Sequence, residues 1–167
     1  VVPGIFLRML VLTIPLLLLV SAMRASQWDE FSDWMIIPRY MLESDAFPSK
    51  HNPYPNAVFT GYPYSWHFVT YLASRIAGGL LENAGALANV LLLLMFGVVV
   101  IQLIARGAER PELMERSGWF VAALGAAAML LTNPTFSQKI VLTSYAETAS
   151  AVATGAGVVL GWLICEA

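Results

Sequence analysis

The chain has 167 residues, of which 58% are hydrophobic and 12% charged, and its mean hydropathy is +0.69. Soluble globular domains are nearer 45–50% apolar and about 25% charged, so this composition excludes that class and predicts an integral membrane protein. The formal net charge of −2, with no cluster of basic residues, excludes nucleic acid as a partner. A single cysteine, Cys165, cannot form an internal disulfide.

The first hydrophobic run, residues 5–23, is long enough to be a transmembrane helix. At 1.5 Å per residue, about 19 helical residues cover roughly the 30 Å hydrocarbon core of a bilayer. Arg8 can extend its charged end to the near interface, and Pro15 is expected to kink the helix. A signal peptide is the competing interpretation, but no small-residue cleavage site favours it.

A long extramembrane loop follows, from residue 24 to residue 83, and its first part is rich in acidic residues and prolines. Apolar residues recur at near-helical spacing in two segments of this loop, Phe31–Glu43 and Ser65–Gly78. Each segment is short for a membrane span. The pattern therefore predicts two juxtamembrane helices that lie in the interface plane.

Three further apolar runs predict transmembrane helices at residues 84–105, 118–132 and 148–165. The short loop 106–117 between the first two carries three arginines, and positive residues in short loops favour the cytoplasm. Loops 24–83 and 133–147 are then outside. The predicted fold is one all-α membrane module, residues 1–167, with four transmembrane helices and two juxtamembrane helices in the first outer loop.

This topology brings three acidic residues to the outer face of the membrane: Asp29, Glu30 and Glu147. Carboxylates so close to lipid are costly unless they are solvated, paired or coordinated. They could act as a general base, or coordinate a divalent metal ion that neutralises a phosphate leaving group. The alternative is structural: a solvated loop start anchored by interfacial aromatic residues, and a glutamate that stabilises the last helix through its dipole.

The order of these features resembles the N-terminal membrane module of GT-C-type glycosyltransferases, which take a sugar from a polyprenyl-phosphate carrier. In that family a first helix leads into a long outer loop that opens with an acidic motif and contains two juxtamembrane helices. The corresponding stretches are Trp28-Asp29-Glu30, the Pro/Tyr-rich segment from Asn52 to Tyr64, and Ser144-Tyr145-Ala146-Glu147-Thr148.

The resemblance implies that Asp29 is the catalytic base, that Glu30 is its substitute, and that Glu147 orients the donor or a metal ion. A lipid phosphate is expected to bind near the juxtamembrane helices, where a basic side chain meets its charge. The candidates are Arg39, Lys50 and Arg75. The resemblance also implies a bacterial inner-membrane protein whose active face points outward.

Two further hypotheses remain open. Members of the family usually continue for several more helices, so the chain is expected to be a fragment or a shortened relative. It could instead be a non-catalytic subunit that packs, through small-residue helix faces, against transmembrane helices of the same or a partner chain. A transition-metal site is a weak hypothesis, because His51 and His67 have no ligand-spaced partner.

Overall fold

A computed structural model describes residues 4–49, 64–110, 118–131 and 143–166. These residues form six α-helices and one short π-helical turn, and none of them forms a β-strand. The helices are α1 (Gly4–Ser21), α2 (Ile36–Ser44), α3 (Tyr64–Ala77), α4 (Ala84–Gly107), α5 (Gly118–Leu131) and α6 (Glu147–Glu166), and the π turn spans Glu30–Trp34. The predicted all-helical class is confirmed.

Three of the helices, α1, α4 and α6, are long and apolar enough to cross a membrane. Each begins within one residue of the position that the hydrophobic runs predict. Helix α5 is apolar but has only 14 described residues. It rises roughly 21 Å, which is less than the hydrocarbon core of a bilayer. The protein is therefore a membrane protein built on at least these three long apolar helices.

The hydrophobic core lies between α1, α4 and α5. Helix α4 contributes most of the buried side chains, and it meets Ile5 and Met9 of α1 and two alanines of α5, Ala122 and Ala126. Small residues on α5 let the helix axes approach closely, which is how helices associate where lipid removes the usual hydrophobic driving force.

The four longest apolar helices alternate in direction. Near one end of the bundle, the side-chain amide of Asn83, before α4, donates a hydrogen bond to the carbonyl of Ser21 at the end of α1. The chain between these residues, including α2 and α3, therefore leaves and returns at the same end. At the other end, Arg8 of α1 packs against Gly118 at the start of α5.

The predicted helix Phe31–Glu43 is divided in two. The N–H of Met35 donates to the carbonyl of Glu30, five residues earlier, at 2.8 Å, which closes the π turn. Helix α2 then begins at Ile36. Pro38 explains the division, because it has no N–H to donate to the carbonyl of Trp34 four residues earlier. The second predicted juxtamembrane helix, Ser65–Gly78, corresponds closely to α3, which packs on α2 and α4.

A much smaller fraction of helix α6 is buried than of the other two long apolar helices, α1 and α4. Only 6% of its most apolar 18-residue stretch is buried, compared with 39% for α4. It packs chiefly on α4, where Gly155 faces the ring of Phe96. The large side chains of its second half, Val158, Leu160 and Ile164, are all exposed.

The beginning of α4 lies very close to the short segment before α6. A Cβ atom on Gly85 would come within 2.9 Å of Cβ and 3.1 Å of Cα of Ser144. Only glycine leaves room for the Ser144 backbone at this distance. The approach matters because Ser144 belongs to the candidate site.

We expect Gly85→Ala to lower the free energy of unfolding by about 1–3 kcal/mol, because the added methyl group must displace the Ser144 backbone. Thermal unfolding in detergent, followed by circular dichroism, measures this loss. Gly157→Ala in α6 is the matched control, since its Cβ would meet nothing within 4 Å. The control should be neutral or slightly stabilising, because alanine favours helix. Equal behaviour of the two variants would contradict the close packing.

Candidate functional site

Glu30 is buried where the chain leaves the first helix, with only 4% of its surface exposed. Its Oε2 atom accepts hydrogen bonds from the backbone N–H groups of Ser26 at 2.8 Å and Gln27 at 3.1 Å. Its Oε1 atom accepts a third from the N–H of Ser144 at 2.9 Å. Hydrogen bonds to a charged acceptor are stronger than neutral ones, so this carboxylate firmly joins the loop after α1 to the segment before α6.

The segment Thr143–Tyr145 is held by several other side chains. The indole N–H of Trp66 donates to the carbonyl of Ser144 at 2.8 Å, and the Ser144 hydroxyl donates to the carbonyl of Glu82 at 3.0 Å. The buried amide of Asn89 donates to the carbonyls of Thr143 at 3.1 Å and Tyr145 at 2.8 Å. We call Thr143–Tyr145 the clamped segment. It fixes the entry to α6.

Three carboxylates oppose ionisation of the Tyr145 side chain, after the larger effect of burial. Burial raises the pKa of its phenol to about 12, assisted by the negative charges of Asp29, Glu30 and Glu147 and by a side-chain hydrogen bond to Asp29. The phenol therefore stays protonated at neutral pH. All three acids that the sequence predicts for the site thus act on the pKa of one residue. Sequence reasoning gave Tyr145 no role of its own.

A cleft of about 600 Å³ lies next to this cluster. Two tryptophans, Trp34 and Trp66, form one side, and small residues of the first two turns of α6 form the other. Glu147 also lines the cleft and is exposed. Aromatic and small apolar walls with one carboxylate suit a ligand that has both an apolar part and a polar end.

A buried Asp33–His67 pair packs against Trp34, one of the residues that line the cleft. The Nε2 atom of His67 is 3.2 Å from the carboxylate of Asp33, and both side chains are fully buried. The imidazole stacks on the ring of Trp34 at a centroid distance of 4.7 Å. The other oxygen of Asp33 and Nδ1 of His67 have no hydrogen-bond partner within the described part of the chain.

The pair thus supports the tryptophan that lines the cleft. The sequence pattern gave His67 no partner and did not connect it with Asp33, because the two are 34 residues apart. Asn89 carried the clearer signal, since a lone amide inside an apolar run needs a partner.

The predicted phosphate-binding arginines lie elsewhere. Arg39 and Arg75 share a second cleft of about 440 Å³ between α2 and the end of α3, which Glu43 also lines. The guanidinium of Arg75 is 3.2 Å from the carboxylate of Asp45, in an exposed pair. Trp66 and Arg75 are nine residues apart on α3, or roughly 13 Å. The two arginines are therefore separated from the acidic residues near Tyr145. The third predicted phosphate-binding residue, Lys50, lies outside the described residues.

No group of three histidine, cysteine, aspartate or glutamate side chains that could hold a metal ion occurs within the four described ranges. The divalent metal ion stays a prediction, for which Asp29 and Glu147 are the candidate ligands. No family model matches this sequence, and comparisons with curated proteins and with solved structures find no significant match.

We expect Glu30→Gln to lower the free energy of unfolding by about 2–4 kcal/mol. The amide loses the charge and offers one acceptor oxygen where the carboxylate accepts three backbone N–H groups. Chemical denaturation in detergent measures the change. Glu43→Gln, at an exposed position of α2, is the control and should fall within about 0.5 kcal/mol of the wild type. Wild-type stability of Glu30→Gln would refute the joining role of this carboxylate.

Proposed function

We propose that this protein transfers a sugar from a polyprenyl-phosphate carrier to an acceptor hydroxyl at the outer face of a bacterial inner membrane. The observation that carries the proposal is the cleft lined by Trp34, Trp66 and Glu147, which lies at the start of α6 directly after Tyr145, whose pKa responds to Asp29 and Glu147. A polyprenyl-phosphate sugar is amphipathic, as this cleft requires. Its sugar can stack on aromatic rings while its isoprenoid chain lies along the exposed apolar surface of α6.

In the proposed reaction Asp29 is the general base. Its carboxylate takes the proton from the acceptor hydroxyl, and the acceptor oxygen forms a bond to the anomeric carbon of the sugar. The bond between that carbon and the phosphate oxygen breaks, and polyprenyl phosphate leaves with the electron pair. Asp29 is half-buried, so its carboxylate keeps access to solvent and to an acceptor.

Glu30 and Glu147 take different roles in this proposal. Both oxygens of Glu30 already accept backbone hydrogen bonds, which makes it less available than Asp29 to accept a proton. Glu147 is exposed at the cleft and is placed to orient the donor. Arg39 of α2 and Arg75 of α3 line the second cleft, so the proposal gives them no contact with the phosphate of a donor whose sugar is at Asp29.

The proposal includes a membrane topology. Helices α1, α4, α5 and α6 each span the bilayer, while α2 and α3 lie in the outer interface. The contact of Asn83 with Ser21 supports this arrangement, because the chain returns to the same end of the bundle after α2 and α3. The nine-residue length of α2 and the polar residues of α3, among them His67 and Arg75, also support it.

A non-catalytic subunit of a membrane complex is the second candidate. The small buried fraction of α6 favours this candidate, because the exposed apolar surface of the helix could pack on further helices of the same or a partner chain. Under this alternative the carboxylate cluster would hold the fold together and bind no donor.

We expect cysteines at Ala77 and Ala108 to react from opposite sides of the membrane, since α4 separates them. Both positions are exposed, and Cys165→Ser provides a background without native thiols. An impermeant maleimide added to intact cells should label Ala77→Cys, and Ala108→Cys only after permeabilisation. Labelling of both positions in intact cells would contradict the topology.

We expect Asp29→Asn to lower the rate of sugar transfer by about 10²–10⁴-fold, because the amide cannot accept the proton. Transfer can be followed in proteoliposomes with a panel of polyprenyl-phosphate sugars carrying a radiolabelled sugar. Glu147→Gln should weaken binding of the donor and lower the rate of transfer by less than Asp29→Asn does.

Asp45→Asn is the matched control for Asp29→Asn. This aspartate also accepts a hydrogen bond from a tyrosine, Tyr71, at 3.3 Å, but it is exposed and far from the cleft. Its transfer should equal that of the wild type. Near-normal transfer by folded Asp29→Asn and Glu30→Gln would end the catalytic proposal. No transfer by the wild type, with assembly into a larger complex, would favour the subunit.

A further inference from the structure

We propose that the second cleft, between α2 and the end of α3, binds the headgroup of a zwitterionic aminophospholipid. The guanidinium of Arg39 contacts the phosphate of this headgroup, and the carboxylate of Glu43 contacts its ammonium group. The ligand is a lipid of the surrounding bilayer and takes no part in sugar transfer. The inference is therefore independent of the proposed function.

The second cleft lies at one end of the membrane-crossing helices. Helices α1 and α4 are both long and apolar enough to span a bilayer, and the hydrogen bond from Asn83 to the carbonyl of Ser21 joins the end of α1 to the start of α4. Leu80, which lines the cleft, is four residues before that start. The cleft is therefore close to the level at which these two helices leave the hydrocarbon, where lipid headgroups lie.

The charged side chains of the cleft differ in whether they are paired. The guanidinium of Arg75 lies 3.2 Å from the carboxylate of Asp45, so its charge is already balanced. Arg39 and Glu43 are exposed and line the same cleft, and neither forms an ion pair with any of the described residues. They are four residues apart on α2 and so share one face of that helix. The cleft therefore offers a ligand one positive and one negative charge, side by side.

This pair of charges selects among lipid headgroups. A guanidinium donates two parallel hydrogen bonds to phosphate oxygens, and a carboxylate accepts hydrogen bonds from a primary ammonium group. Phosphatidylethanolamine carries both groups, joined by two carbon atoms. Phosphatidylglycerol and polyprenyl phosphate carry only negative charge, which Glu43 repels, and the quaternary nitrogen of phosphatidylcholine has no hydrogen to donate. Phosphatidylethanolamine is thus the best match of the four.

An apolar surface for the acyl chains lies beside the cleft. Leu72 and Ile76, one turn apart on α3, are both exposed, Ile76 by 89% of its surface. Ile76 directly follows Arg75, which lines the cleft. Gly78 and Gly79 also line it, and a Cβ atom on either would meet nothing within 4 Å, so this side of the cleft is open. A headgroup in the cleft can therefore keep its chains on apolar side chains.

Native mass spectrometry of the protein in detergent tests the inference. Equal amounts of phosphatidylethanolamine, phosphatidylcholine, phosphatidylglycerol and undecaprenyl phosphate are added, and we expect phosphatidylethanolamine to be the most abundant bound lipid. Arg39→Gln should lower its binding about two- to fivefold, as for the loss of one exposed ion pair. Glu43→Gln should lower it by a similar factor and should raise the binding of phosphatidylglycerol, because the repelling carboxylate is gone.

Arg106→Gln and Glu109→Gln are the matched controls, since they remove exposed charges at the other end of α4. Both should keep the lipid preference of the wild type. Equal binding of the four lipids by the wild type, or a preference for any of the other three, would overturn the inference. So would an unchanged preference in either cleft variant, or an equal change in the controls. None of these results bears on sugar transfer, which is measured separately.

Discussion

The structure depends on the hydrogen bonds that the Glu30 carboxylate accepts from three backbone N–H groups. A buried carboxylate without partners costs several kcal/mol, so its burial requires those donors to stay in place. Two of them come from the chain after α1, and the third comes from the chain before α6, 114 residues away. This connection holds the start of α6, with Tyr145 and Glu147, against the acidic motif, together with the hydrogen bonds that Trp66 and Asn89 donate to the clamped segment.

Hydropathy alone predicts the long helices, because an uninterrupted apolar run has few other stable conformations in a bilayer. The starts of α1, α4 and α6 agree within one residue for this reason. The π turn was not predicted. Pro38 lies inside the helix that the sequence predicts, and its effect falls four residues earlier, at the carbonyl of Trp34, because proline has no N–H to donate.

The site was predictable in part. Asp29, Glu30 and Glu147 were predicted as acids near one membrane face, and all three raise the pKa of Tyr145. Their different environments could not be read from the sequence, since adjacent carboxylates look alike until the direction of each side chain is known. The same limit separated Arg39 and Arg75 from the cluster and hid the pairing of Asp33 with His67. Each depends on how α3 packs, which local pattern does not determine.

The sparse covering of α6 has a consequence for the order of assembly. Helices α1, α4 and α5 share one core, whereas α6 adds little more than Val152 to it. Membrane helices form first and associate afterwards, so the three-helix core can assemble without α6. Helix α6 would then dock last, guided at its beginning by the clamped segment. The cleft would consequently be the final part of the molecule to form, and the first to be lost when the helices separate.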